Sequence, residues 1–211
     1  MGREFIELFD QWATTYDESV TGYDKEYEDV FSNYEEILET VASLSAGSVL
    51  EFGVGTGNLS EKIREKGLPL VGVEPSQAMR AIANEKYPDL PIYDGDFLAY
   101  PEFIGIDTIV SSYAFHHLTD QEKDKAISIY SQQLSKGGRL VFADTLFESE
   151  SAKRDIISWA NNLGYDNLVK DLETEYYPLK STMEALFIKH GFKATFQQMN
   201  RFVWVMAAEK H

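Results

Sequence analysis

Apolar positions along the chain recur first at helical spacing and then as short runs separated by helical stretches. Phe5, Phe9, Trp12 and Tyr16 lie three or four residues apart, and so do Tyr27, Val30, Phe31, Tyr34, Ile37, Leu38 and Val41. Each set marks one face of an amphipathic helix. The stretch between them, Asp17 to Asp24, contains Gly22 and reads as a loop. From Ser48 the period changes. Ser48–Phe52 is a short apolar strand that runs into a glycine-rich turn. A helix over Asn58–Lys66 follows, then a strand over Leu70–Val73 and a helix capped by Ser76, with Met79, Ile82 and Ala83 inward. Pro91–Tyr93 and Ile106–Ser111 read as the third and fourth strands. Thr119 with Glu122 forms a capping box for a helix that stops at Gly137-Gly138, before a fifth strand over Arg139–Ala143.

This alternation predicts a doubly wound α/β sheet, parallel, with helices on both faces. Two features extend it. Leu146 to Tyr177 reads as inserted helices with Ile156, Ile157, Ala160 and Leu163 on one face. Beyond a Ser181–His190 helix with its own capping box (Ser181, Glu184) come two strand-like runs, Ala194–Gln198 and Phe202–Ala208. Only Met199-Asn200-Arg201 joins them, and so short a link makes an antiparallel hairpin. The expected architecture is therefore a seven-stranded, mostly parallel sheet that ends in that hairpin. It forms one domain over residues 1–211: an N-terminal helical lid (1–45), a core (46–145), a helical insertion (146–178), and a terminal helix with hairpin (179–211).

Composition narrows the partners. Nineteen Lys and Arg against 35 acids leave a formal charge of −16, without the basic stripe that nucleic acid or an anionic membrane requires. No apolar run nears the ~20 residues that cross a bilayer, and no secretory h-region follows Met1. There are no cysteines, which removes disulfides and thiolate metal sites. A cytoplasmic protein is expected. The oligomeric state is not readable from these features.

The chemistry concentrates in Glu51-Phe52-Gly53-Val54-Gly55-Thr56-Gly57-Asn58, between the first strand and its helix. Glycines there permit positive φ and close approach of backbone to a ligand, and the helix start presents free N–H groups. In the dinucleotide fingerprint G-x-G-x-x-G the third glycine would fall at Asn58, so the spacing G-x-G-x-G breaks it. Glu51, two residues before Gly53, would repel a pyrophosphate but can hold an ammonium, directly or through water. S-adenosylmethionine (SAM) carries an ammonium and a sulfonium and no phosphate.

The segment resembles motif I of the class I SAM-dependent methyltransferases, a Rossmann-like superfamily, and its later motifs follow in order. Val73-Glu74-Pro75-Ser76 resembles the acidic end of the second strand, where the carboxylate accepts from both ribose hydroxyls. Asp94-Gly95-Asp96-Phe97 resembles the motif after the third strand. By that match Asp96 accepts from the adenine N6 amine, while Phe97 gives a backbone N–H and an apolar wall. Ile106 to Ser112, which contains Ser111, resembles the fourth-strand motif, and Gly137-Gly138-Arg139-Leu140-Val141 the fifth. Closer still, Gly2-Arg3-Glu4-Phe5, Gln11-Trp12-Ala13, Tyr113 to Asp120 and Met199 to Trp204 are similar to the YrrT-like small bacterial SAM methyltransferases. The resemblance implies SAM as cofactor and S-adenosylhomocysteine (SAH) as product but supplies no acceptor; a small molecule is expected because the N-terminal helices and the Leu146–Tyr177 insertion would form an aromatic-rich lid over the sheet's C-terminal edge. It also places Tyr16, in Ala13-Thr14-Thr15-Tyr16-Asp17, over the methionyl end of SAM. Glu51, Gly53, Gly55, Asn58, Glu74, Pro75, Asp96, Phe97 and Ser111 complete the expected cofactor set.

Methyl transfer from a sulfonium is an in-line displacement that depends on alignment, worth ~7–11 kcal/mol, and needs a base only where the nucleophile must lose a proton. His116, beyond the fourth strand, is the candidate base. The plainer alternative is that His116 and His117 only lead into the capped helix. Metal binding by the adjacent pair is not expected, because neighbouring side chains diverge and no third ligand is evident. Two other function classes were weighed. A non-catalytic SAM-binding sensor would carry the same cofactor motifs, and an NAD-dependent oxidoreductase would use Glu74 in the same way. The missing third glycine and the terminal hairpin disfavour the oxidoreductase.

Overall fold

The computed structural model describes Ile6, Asp10, residues 12–18, Val20 and residues 24–211. The elements are α1 (Tyr34–Leu44), β1 (Val49–Phe52), α2 (Asn58–Glu65), β2 (Leu70–Val73), α3 (Gln77–Lys86), β3 (Ile92–Tyr93), β4 (Thr108–Ser112), α4 (Asp120–Gln133), β5 (Arg139–Thr145), α5 (Glu150–Leu163), α6 (Asp166–Thr174), α7 (Lys180–Lys189), β6 (Phe192–Gln198) and β7 (Val203–Lys210). The seven strands form one sheet in the order β3-β2-β1-β4-β5-β7-β6. β7 alone runs against its neighbours, antiparallel to both β5 and β6. The expected parallel sheet finished by an antiparallel hairpin is the observed one.

Strand alternation sorts the core into two layers. Leu50, Phe52, Ile109, Leu140 and Phe142 face Tyr130 of α4 and Phe187 of α7. Val49, Val110, Val141 and Ala143 face Ile37, Leu38 and Val41 of α1 and Leu59 and Ile63 of α2. Successive residues point to opposite faces, so one strand feeds both layers, at about 1.5–3 kcal/mol per fully buried large side chain.

Several boundaries differ from the pattern. The helix expected from Tyr27 begins only at Tyr34, because Asn33 takes a left-handed conformation, φ 63°. The preceding segment docks instead on the hairpin turn: Asn200 Nδ2 donates to the carbonyls of Val30 and Ser32, and Asn33 Nδ2 to that of Met199. The helix expected over Phe5 to Tyr16 lies largely outside the described residues, and Tyr16–Glu18 form a single helical turn. The Ser181–Glu184 capping box does not form. Leu179 occupies the cap, since its bridge to Phe147 starts the helix one residue early. The Thr119–Glu122 box forms in full. Strand β4 ends at Ser112 rather than Ser111. Among the described residues no helix is long and apolar enough to cross a membrane.

Candidate active site

The chain order reverses between β1 and β4, and in such sheets a crevice opens there beyond the carboxyl ends of the strands. A cavity occupies this place. One end is walled by Phe52, Gly53, Gly55, Glu74, Asp96 and Phe97. The other is walled by Tyr27, Phe31, Tyr113, His116, Glu175 and Tyr177, with Tyr16 also on the wall.

The first end is made by backbone. Gly53 (φ 68°) and Gly55 (φ 58°) both lie in the left-handed region, where a side chain is strained. A Cβ on Gly53 would stand 2.8 Å from that of Ala114, whereas one on Gly55 would meet nothing within 4 Å. Gly55 thus leaves an open cradle that any other residue would fill. Glu74 ties the loop to the end of β2: its carboxylate accepts from the Gly55 N–H at 2.9 Å and the Ser76 N–H at 2.8 Å. Burial raises its pKa to about 7, against those two hydrogen bonds. Pro75 lies beside it on the wall. Asp96 accepts from the Leu98 and Ala99 N–H groups, both at 2.9 Å, and so shapes the turn that carries Phe97.

Three expected cofactor residues stand off the cavity wall. Glu51 lies buried beneath the loop, where Oε2 accepts from Ser60 Oγ at 2.6 Å. Its Oε1 has no hydrogen-bond partner among the described residues, and burial raises its pKa to about 8. Asn58 donates to Asp17 Oδ1 at 3.1 Å and to Tyr34 Oη at 3.3 Å. Ser111 is buried against Gly53, and Ser112 takes the cavity. The cause is strand alternation: adjacent residues of β4 point to opposite faces, so only one of the two serines can reach the cavity.

Sequence reasoning missed the latch on this end. Asp17 accepts from Thr56 Oγ1 at 2.6 Å, Asn58 Nδ2 and Lys86 Nζ at 2.5 Å, which fastens the N-terminal segment over the glycine loop. Burial would raise the pKa of Asp17, but these three donors outweigh it and lower it. The signal was the acid after Tyr16; its partners are 39 to 69 positions away.

The second end is made by side chains. His116 sits in a short 3₁₀ turn, Phe115–His117, after β4. Its Nδ1 is 2.6 Å from Asp144 Oδ1, and its Nε2 is 3.3 Å from Glu175 Oε2. Asp144, at the end of β5, also accepts from the backbone N–H groups of His116 and Thr145. Burial alone would push His116 down, but the charges of Asp144 and Glu175 outweigh it and raise its pKa to about 10. The same partnership overrides burial at Glu175 and lowers it to about 2. At neutral pH the arrangement is an imidazolium between two carboxylates, not a vacant base.

Glu175 follows α6, and its place is fixed by its neighbour. The Tyr176 N–H donates to the His116 carbonyl at 3.2 Å, and the Tyr176 carbonyl accepts from the buried Lys123 Nζ at 2.6 Å. Burial lowers the pKa of Lys123 to about 8. The Tyr177 hydroxyl donates to Glu175, and its ring stacks on His116 with centroids 4.7 Å apart. One turn earlier, Asp171 accepts from the Tyr27 hydroxyl. Tyr113 has φ 53°, and its ring lies 5.2 Å from Phe31 and 5.4 Å from Tyr34. The expectation that His116 and His117 diverge with no third donor near them does not hold. Their ring centroids are 4.1 Å apart, and Glu175 brings a third donor atom within 4.8 Å of theirs. Both nitrogens of His116 already face carboxylates, so a metal there would have to displace its protons.

A family model described as a methyltransferase domain matches residues 23–195. An uncharacterized methyltransferase of Bacillus cytotoxicus is 54% identical over 211 residues, covering 100% of both chains. One from Oceanobacillus iheyensis is 50% identical and covers 100% of this chain and 99% of its own. This chain belongs to the methyltransferase-domain family. Solved structures with the same fold include the magnesium protoporphyrin IX methyltransferase of Synechocystis PCC 6803 with bound SAH. It has a TM-score of 0.74 at 14% identity and covers 98% of each chain. Another is a Thermotoga maritima SAM-dependent methyltransferase titled a possible histamine N-methyltransferase. Its TM-score is 0.69 at 18% identity, over 98% of this chain and 99% of that one.

The methyltransferase's own residues fit SAM. The Gly55 cradle is open, carboxylates stand at the end of β2 and after β3, and the buried Glu51 Oε1 is unsatisfied. Among the described residues that line the cavity there is no Lys or Arg, so none of them answers a pyrophosphate.

Proposed function

We propose that this methyltransferase transfers the methyl group of SAM to a small molecule by in-line displacement inside this cavity. The carrying observation is continuity: one cavity runs from Gly55, Glu74 and Asp96 to Tyr27, His116 and Glu175. The N-terminal segment contributes Trp12, Tyr16 and Tyr27 to its wall, and the insertion contributes Asp171, Glu175 and Tyr177. A macromolecular acceptor needs an open face, whereas these segments put side chains over this one.

SAM supplies a methyl group already activated on a sulfonium. The protein's part is to bind, orient and exclude water. Glu74 would take the ribose hydroxyls and Asp96 the adenine amine, and Glu51, beneath the loop, would reach the ammonium through water. Gly53 and Gly55 would give backbone approach, with Pro75 and Phe97 as walls and Tyr16 over the methionyl end. Asn58 would hold its segment through Asp17, and Ser111 would support Gly53 from beneath. His116 enters this reading as an ion-paired positioning residue that sets Glu175 and Tyr177, rather than as the free base expected from its place in the chain.

Parallel calorimetric titrations with SAM, SAH and NAD test the cofactor assignment, followed by an acceptor screen that reads SAH release. Binding of both adenosyl sulfur ligands, no binding of NAD, and turnover with a small acceptor are expected. Tight NAD binding without SAH binding would overturn the proposal.

A further inference from the structure

We propose that the acceptor end of the cavity recognises its small molecule through a protonated amine on an apolar or aromatic body that lacks phosphate and carboxylate groups. This rests on the methyltransferase reading above and deepens it to a substrate class. Asp171 and Glu175 lie one helical turn apart on the inserted helix and its end, and both line the cavity. Their phenol and imidazole partners use one oxygen of each, Asp171 Oδ2 and Glu175 Oε2. No described residue donates to Asp171 Oδ1 or Glu175 Oε1, so each carboxylate keeps an acceptor for a ligand.

Charge makes the choice among ligands. Asp144, Asp171 and Glu175 stand at this end against the His116 imidazolium and the buried Lys123 behind it, and among the described residues no Lys or Arg lines the wall. An anionic acceptor would be desolvated beside carboxylates, and the imidazolium is already paired to two of them, which is strongly unfavourable. A neutral alcohol or thiol would gain apolar contact and one hydrogen bond to a carboxylate oxygen, but no charge attraction beside that contact. An ammonium gains both. The rings around it suit a cation as well: Trp12 meets Tyr27 edge-on with centroids 6.2 Å apart, and Phe31, Tyr113 and Tyr177 add further π faces. Binding as the ammonium concerns recognition, and it applies whichever atom of the acceptor is methylated.

The test is calorimetry on SAH-loaded protein with three probes of one shape: 2-phenylethylamine, 2-phenylethanol and 3-phenylpropionate. The amine should bind roughly tenfold more tightly than the alcohol, with the carboxylate weakest. Asp171→Asn and Glu175→Gln should each erode the amine's advantage over the alcohol several-fold, while SAH affinity stays unchanged. Asp171→Asn does not touch the His116 pair, so it remains informative if Glu175→Gln fails to fold. Equal or tighter binding of the alcohol or the carboxylate overturns the proposal, and so does an amine that does not bind a protein still holding SAH. Amine affinity unchanged in both variants also overturns it. Protein that fails to bind SAH at the outset overturns the underlying methyltransferase reading, and this one with it.

Discussion

The two ends of the cavity are built by different means. At the cofactor end, beneath the Asp17 latch, the contacts that shape the wall run from carboxylate to backbone: Glu74 binds the amide of Gly55 across 19 positions and that of Ser76 two residues on, and Asp96 binds amides two and three residues on. At the acceptor end they are side chain to side chain and distant, with Tyr27 joined to Asp171 across 144 positions and His116 to Asp144 across 28. A ligand common to a superfamily can be held by geometry that any short motif encodes. A ligand particular to one protein must be met by side chains that the topology collects. The contrast also divides the energetics, because the first end depends on permitted φ values and the second on paired buried charge.

The sharpest way to break this division is Gly55→Val. A side chain in the open cradle should cost SAH at least ~100-fold in calorimetric affinity and cost stability only the ~1–2 kcal/mol of a left-handed residue. Retained SAH affinity would mean that the cradle is not the cofactor's place. Asp144→Ala should do the reverse. It strips the imidazolium of its buried partner and should lower unfolding free energy in urea by ~3–5 kcal/mol, while the folded fraction binds SAH normally. Glu74→Ala should weaken SAH by ~1–3 kcal/mol, and unchanged affinity would remove Glu74 from the ribose site.

pH separates the ends further. His116 is raised from 6.5 to about 10, so its contribution to stability is fully present below pH 6.5 and is lost as pH rises through about 10. Urea midpoints should therefore fall on the alkaline side, with a shallower fall in Asp144→Asn. The His116 ring signals in NMR should stay those of the protonated form well above pH 7. Glu51, raised from 4.5 to about 8, gives stability present below pH 4.5 and lost as pH rises through about 8, and Glu51→Gln should remove that earlier decline. The smallest effect is expected at the half-exposed latch, where Lys86→Ala should change stability by less than ~1 kcal/mol.

Legibility in the sequence follows the same division. The succession of strands and helices, the hairpin and the glycine loop could be read, because hydrophobic period, a three-residue connection and clustered glycines are local signals. The Asp17 latch and the Asp144–His116–Glu175 row could not, since each joins segments that only the folded sheet brings together. Ser111 shows a subtler limit. The strand was found, but one residue at its end decided which serine faced the cavity. The helix expected from Tyr27 failed for a tertiary reason, as the hairpin's Asn200 captured the carbonyls of Val30 and Ser32.

A crystal structure of the protein with SAH decides where the cofactor sits. The adenosine should lie against Glu74, Asp96 and Phe97 and the homocysteine beside Gly53 and Tyr16, with the wall of Tyr27, Asp171 and Glu175 left free for an acceptor. SAH seated on Asp171 and Glu175, with the Gly55 cradle empty, would contradict this placement.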